Sequence, residues 1–287
     1  MDNETPTTTR PHFAGLNTAF LAEVLVGHPV LISYADIIRR PGVWTKEILP
    51  RLERGDYVAP ILDSGAFTEL TTPGFTVSVE AYATFIADFG HLFDQVVTLD
   101  DIRGDLARTW KNTAELMKTG AEIIPVFHGR EPFEVLEMYC RKFGRVGLGF
   151  ARDRGRISKD QGHGMNPAAW LEKALDICEA AGVEIHGFGM TRYALSLGHG
   201  RLTTTDSTTW IAEFCALQKT KGDHGVKGAA QALIDAMPRS AVALFTIASY
   251  AGAGACQAMD QLLADSWGQA RTVFRRMSAA DLEAFGN

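Results

Sequence analysis

Cysteine is scarce and scattered. Four residues, at 140, 178, 215 and 256, serve a chain of 287, and the nearest two are 37 positions apart. That spacing excludes a C-x-x-C redox motif and a compact zinc knuckle, so no bound metal is expected and a reduced, cytoplasmic protein is. No apolar run approaches the roughly 18 residues that a membrane span needs, and no membrane partner is expected. Basic charge is not in excess. Lys and Arg number 28 against 34 Asp and Glu, a net charge of −6, which excludes a generally basic nucleic-acid coat but leaves room for a local patch. The first ten residues, acidic and polar, lack the apolar stretch of a secretory leader and are expected to be poorly ordered. Glycine (28) and proline (11) have no period, which excludes collagen-like and low-complexity chains. H-E-x-x-H spacing is missing. Ser64 is not in a G-x-S-x-G elbow, and Gly252-Ala253-Gly254 follows no good strand.

What is present is ordinary globular material, 46% hydrophobic and 22% charged. Short apolar runs alternate with helix-like stretches. The runs are 29–34, 58–63, 95–100, 122–127, 145–150 and 183–188, with a more polar seventh at 201–206. Unbroken apolar runs suit strands buried on both faces, as in parallel sheets. Helices are predicted over 78–89, 106–118, 132–143 and 167–181, with glycines 120, 144 and 182 as stops. Repeated β–α–β units mean an α/β fold. Six of the runs end in reactive or glycine-rich groups. A (β/α)8 barrel gathers every strand end at one mouth, whereas an open sheet gathers only those at its switch point, so the barrel is favoured. The eighth strand is irregular, with 241–247 its candidate, and residues 211–287 read as mainly helical. No linker or repeat divides residues 1–287, which read as one domain.

Several strand ends carry candidate chemistry. Asp63, before Ser64-Gly65-Ala66-Phe67, either caps a turn or faces a flat ligand on which Phe67 stacks. Asp206, among hydroxyls, either caps the next helix or is an ionised nucleophile. Of Asp100 and Asp101, alternation lets one face the mouth. His128 and His186 read as structural unless a partner is found. Arg152, Arg154 and Arg156, in a Gly-containing loop, either grip phosphates or are solvated.

In order, Asp63-Ser64-Gly65-Ala66-Phe67, Leu99-Asp100-Asp101, Val126-Phe127-His128-Gly129, Val146-Gly147-Leu148-Gly149, His186-Gly187-Phe188-Gly189 and Thr205-Asp206-Ser207 resemble the motifs of tRNA-guanine transglycosylases. The likeness covers residues 28–212 and is strongest to the short DpdA-type proteins that modify DNA with deazapurines. It implies a (β/α)8 barrel that replaces guanine in DNA with a 7-deazaguanine base, without a cofactor. It further implies Asp206 as nucleophile and Asp63 as acid/base. Phe67, Asp100, His128, Gly147, Leu148, Gly149, His186 and Gly187 would bind the base, and Arg152, Arg154 and Arg156 would contact DNA phosphates. Leu148 replaces a glycine of that pattern, His128 a glutamine, and the family's cysteine zinc cluster is missing, which turns the expectation from tRNA to DNA. A homodimer or companion DNA-modification proteins are further expectations. The alternatives are a tRNA-acting transglycosylase, a base or nucleoside N-glycosidase in which water replaces the incoming base, and a non-catalytic nucleic-acid-binding paralogue.

Overall fold

The structure is a computed structural model that describes residues 9–129, 131–149, 167–189 and 200–208. The chain divides into two compact units, Met1–Ser207 and Thr208–Asn287, and the fold below belongs to the first. The predicted strand at 241–247 and the predicted helices beyond 210 lie outside the described residues.

Nine strand segments run parallel: β1 (Arg10–Ala14), β2 (Pro29–Ser33), β3 (Val58–Asp63), β4 (Gln95–Val97), β5 (Ile123–Ile124), β6 (Val126–His128), β7 (Arg145–Gly149), β8 (Glu184–Phe188) and β9 (Thr204–Ser207). Their order is β5-β4-β3-β2-β1-β9-β8-β7-β6. The two ends of that order, β5 and β6, are consecutive in the chain and separated by Pro125 alone. Proline has no N–H to give a ladder, so the two halves of one strand are counted apart. Its carbonyl still accepts from Gly147 N–H at 2.8 Å, and that of Ile124 accepts from Thr98 N–H at 3.0 Å, one bond to each flank. The ring is therefore an eight-stranded barrel, as the β–α–β pattern predicts.

The strand that completes it is a correction. The eighth strand is β1, which begins at Arg10, the last residue of the stretch expected to be poorly ordered. It pairs with β2 through Phe13–Val30 and with β9 through His12–Asp206. His12, Phe13 and Ala14 are buried, so tertiary packing orders a segment whose first residues look unstructured. β4 is also shorter than predicted. It ends at Val97, which leaves Asp100 and Asp101 on the loop that follows.

Around the barrel run α1 (Ala19–Val24), α2 (Tyr34–Arg39), α3 (Pro41–Val43), α4 (Leu49–Glu53), α5 (Ala66–Thr71), α6 (Val79–Phe89), α7 (Leu106–Met117), α8 (Phe133–Lys142) and α9 (Pro167–Ala181). A π-helical turn, Trp44–Ile48, joins α3 to α4. Ser78 caps α6 by accepting from Ala81 N–H, and Asp105 caps α7 by accepting from Arg108 N–H. Gly120 and Gly182 stop α7 and α9 at φ 81° and 67°. Gly144 plays no such part, because α8 already ends where Phe143 turns extended at φ −126°. Against the barrel, α6 packs Tyr82 and Phe85 on Tyr34, with ring centroids 4.9 and 5.0 Å apart.

Inside the barrel, Ala14, Leu31, Ile61, Val97 and Val126 form a buried layer on which Phe188 packs. These six come from six different strands. β7 contributes Gly147, where a Cβ would stand 2.4 Å from the Phe188 ring. Side chains alternate in a strand, so the residues two further on also face inward, one layer nearer the strand C-termini. Those residues are Ser33, Asp63, His128 and Gly149. The fold sets a polar layer directly above an apolar floor.

Candidate active site

Asp63 ends β3. Its Oδ2 accepts from Gly65 N–H at 3.0 Å, so the plain capping role of the sequence reading is present. Gly65 has φ 86°, and a Cβ there would lie 2.4 Å from Ala35 Cβ, so no other residue fits the turn. Asp63 keeps some solvent contact but is enclosed by protein, and its pKa rises from 3.8 to about 7. Burial is the main cause, the charge of Asp206 the second, and Asp100 adds a smaller push.

Asp206, 7% exposed, lies on β9. Its Oδ1 accepts from Gly189 N–H at 3.1 Å and stands 3.3 Å from His186 Nε2. The other nitrogen of that wholly buried ring, Nδ1, is 2.8 Å from Thr204 Oγ1. With Nε2 protonated, His186 donates to Asp206 and accepts from Thr204, the arrangement that satisfies a neutral imidazole. Asp206 is thus part of the barrel ladder, and the helix it was read as capping lies outside the described residues.

Asp100 and Asp101 separate, and α7 decides how. Asn112 Nδ2 donates to Leu99 O at 2.8 Å, and Asp101 N–H donates to Thr109 Oγ1 at 2.9 Å. Arg108 draws the Asp101 carboxylate outward at 3.0 Å. Asp100 turns inward, where its Oδ2 is 2.6 Å from His128 Nε2. The ring of His128 lies over Gly149, at which a Cβ would sit 2.3 Å from Nδ1. Glu131, 3% exposed, folds back so that Oε2 accepts from His128 N–H at 3.0 Å. Burial pushes its pKa up to about 7, against the opposing pull of His128.

The mouth therefore brings together Asp63, Asp206, Asp100 and His128 of the predicted residues, with the wholly buried His186 behind Asp206. Gly147 and Gly149 are there for a packing reason, since Phe188 and His128 occupy the space a side chain would need. Leu148 and Gly187 fall on the alternate, helix-facing side of their strands. Leu148 is wholly buried, and the Gly187 carbonyl accepts from Thr205 Oγ1 at 2.8 Å. Phe67, in the first turn of α5, is 39% exposed. Arg152, Arg154 and Arg156 lie outside the described residues.

Two buried groups escaped the sequence reading. Glu131 sits three residues beyond His128 with no pattern to mark it. His12 is 1% exposed, and its Nε2–H donates to Ala59 O at 2.9 Å. Burial, and then His186, hold its pKa down at about 3, so it stays neutral. Among the described residues no three His, Cys, Asp or Glu side chains group as metal ligands. Nor, among them, is any helix long and apolar enough to cross a membrane. A depression lined by Gly90, His91, Asp94, Gln95, Gly120 and Glu122 opens at the start of β4, away from this chemistry.

No protein-family model and no curated protein matches the sequence. Among solved structures, the chain is similar to a candidate fructose-1,6-biphosphate aldolase from Coccidioides immitis, at 13% identity and TM-score 0.52, with 93% of each chain covered. It is also similar to the tryptophan synthase α subunit of Pyrococcus furiosus, in the α2β2 complex at 12% identity and TM-score 0.47, covering 86% of this chain and 97% of that one. A mutant form of that α subunit gives 12% and 0.45, covering 76% and 91%. At such identities the likeness is one of fold.

The resemblance to tRNA-guanine transglycosylases does not stand. No family model answers to the six ordered motifs, and the solved barrel whose fold the chain shares at TM-score 0.52 is described as an aldolase. Base exchange in DNA or tRNA, pentosyl transfer and 7-deazaguanine as co-substrate fall with it; the nucleic-acid partner rested on that likeness and on Arg152, Arg154 and Arg156, which lie outside the described residues. The physical reason lies in the fold. Any parallel barrel sets acids, histidines and glycines at its strand C-termini, in chain order, whatever its reaction. Here Gly147, Gly149 and Gly65 answer to neighbouring side chains.

Proposed function

We propose that the chain is an enzyme that moves a proton at a small polar substrate bound over the C-terminal ends of the strands, with Asp63 as general acid and base. The observation that carries this is the Asp63 carboxyl, raised to about 7 beside the carboxylate of Asp206. A group half-protonated near neutrality both donates and accepts a proton without a large penalty either way. Two carboxylates whose surroundings differ divide the work: Asp63 carries the proton, and Asp206, tethered by Gly189 N–H and His186, is the fixed acceptor. His128, backed by Asp100, supplies a second polar edge. The described side chains of this mouth are acceptors and imidazoles, which suit hydroxyl or amine groups on the substrate. Isomerisation or lyase cleavage, in which a proton leaves one atom and returns to another, is the reaction class that needs this equipment and no more.

The test starts from binding. Polyols, sugars, hydroxy acids and amines are screened by thermal shift, and ligands that stabilise the chain are incubated in D2O and followed by NMR for deuterium incorporation. The parent is expected to exchange a proton of the bound ligand with a pH profile that inflects near 7. Asp63→Asn should keep binding and lose exchange by about 100-fold or more. Undiminished exchange by Asp63→Asn, or a profile flat across neutrality, overturns the reading.

A further inference from the structure

Dispersed in sequence, two of the four cysteines meet in the fold. Cys140 lies near the end of α8 and Cys178 on α9, 38 positions on, and their sulfur atoms are 3.8 Å apart. Both are free thiols. Cys178 is wholly buried, whereas Cys140 is 8% exposed. The two helices lie side by side, and α9 is held both to α8, through Phe133, and to the barrel strand β6, through Phe127. Lys173 Nζ sits 4.2 Å above the Phe133 ring, and Trp170 stacks on Phe127 at 5.6 Å. A disulfide needs its sulfurs at about 2 Å, so this pair has to close from 3.8 Å. The shared S–H···S hydrogen bond lowers the pKa of Cys140, while the same bond, and then burial, push that of Cys178 up. The more accessible thiol is therefore the more readily ionised one, with its partner directly behind it.

We propose that Cys140 and Cys178 form a redox-active dithiol that a peroxide converts into a disulfide clamping α8 to α9. The Cys140 thiolate attacks one peroxide oxygen of ROOH, and the O–O bond breaks. This leaves Cys140 as sulfenic acid and releases RO⁻, which takes up a proton as ROH. The Cys178 sulfur then attacks the Cys140 sulfur. The S–OH bond breaks, and hydroxide leaves with the Cys178 proton as water. Two thiols lose two electrons, the peroxide gains them, and an external dithiol reverses the change. α8 follows His128 and Glu131, and α9 leads into the strand that carries His186. The link therefore ties the segments on either side of β7 to each other. This inference stands independently of the acid–base reading.

The full chain is reduced, exposed to hydrogen peroxide, unfolded in a thiol-alkylating reagent and mapped by mass spectrometry. One internal Cys140–Cys178 link is expected, with a mass lower by two hydrogen atoms, reversed by dithiothreitol. The Cys215→Ser/Cys256→Ser double variant should still form it. Cys178→Ser should stop at a Cys140 sulfenic acid that dimedone labels, and where that variant fails to fold, the parent's peptide map decides alone. Cys140 and Cys178 both alkylated after peroxide exposure, or a link through Cys215 or Cys256 in their place, overturns the proposal.

Discussion

Asp63 trades stability for chemistry. Its pKa is about 7 in the fold against 3.8 in the unfolded chain, so between those values the native state binds the extra proton. Stability is then highest below about pH 4 as far as this group is concerned and is lost as the pH rises through 7. Three pKa units correspond to roughly 2–4 kcal/mol once partial solvent contact is allowed for. Asp63→Asn should therefore raise Tm, and by more at pH 8 than at pH 5. Thermal unfolding of both proteins at the two pH values checks this, and an equal or larger gain at pH 5 would contradict it. Gly65 is the residue that lets Asp63 stand where it does. Gly65→Ala meets both the positive φ and the Ala35 methyl, and is expected to cost at least about 2 kcal/mol by chemical denaturation.

At the scale of elements, α7 acts as a brace. Its cap at Asp105 sets the register that brings Thr109 and Asn112 against the loop after β4 and so turns Asp100 inward. The Asn112 amide answers the Leu99 carbonyl. Asn112→Ala removes the donor and should cost about 1–3 kcal/mol. It should also loosen the Asp100–His128 contact, which the NMR titration of the His128 ring would report as a shifted midpoint. An unchanged titration with lowered stability would confine the role of Asn112 to the loop itself. Acid groups such as Asp100 and Asp101 could be identified in the sequence as a pair facing opposite ways. Which of them faced inward was settled by Arg108, which is on a different element.

For the whole molecule, closure matters most. β1 sits between β2 and β9, so its removal opens two edges at once and exposes their ladders to other chains. Deleting residues 1–14 is expected to give an aggregated or unfolded product, seen by size exclusion and circular dichroism. A soluble, monodisperse, folded truncation would contradict the assignment of β1 as a barrel strand.

The alternation of strands and helices, the glycine stops after α7 and α9 and the barrel class were legible because each rests on periodicity or chemistry within a few residues. So was the placement of acids and histidines at strand ends. Their meaning was not. The pKa of Asp63 depends on Asp206, which is far along the chain, and the glycines of β7 depend on Phe188 and His128. The Cys140–Cys178 pair depends on how α8 meets α9. Local pattern determines which segments form, because propensity and hydrophobic spacing act over one or two turns. Tertiary structure decided which segment completes the ring and which side chains share the mouth, because burial and Coulomb interactions act through space, between residues the chain itself keeps apart.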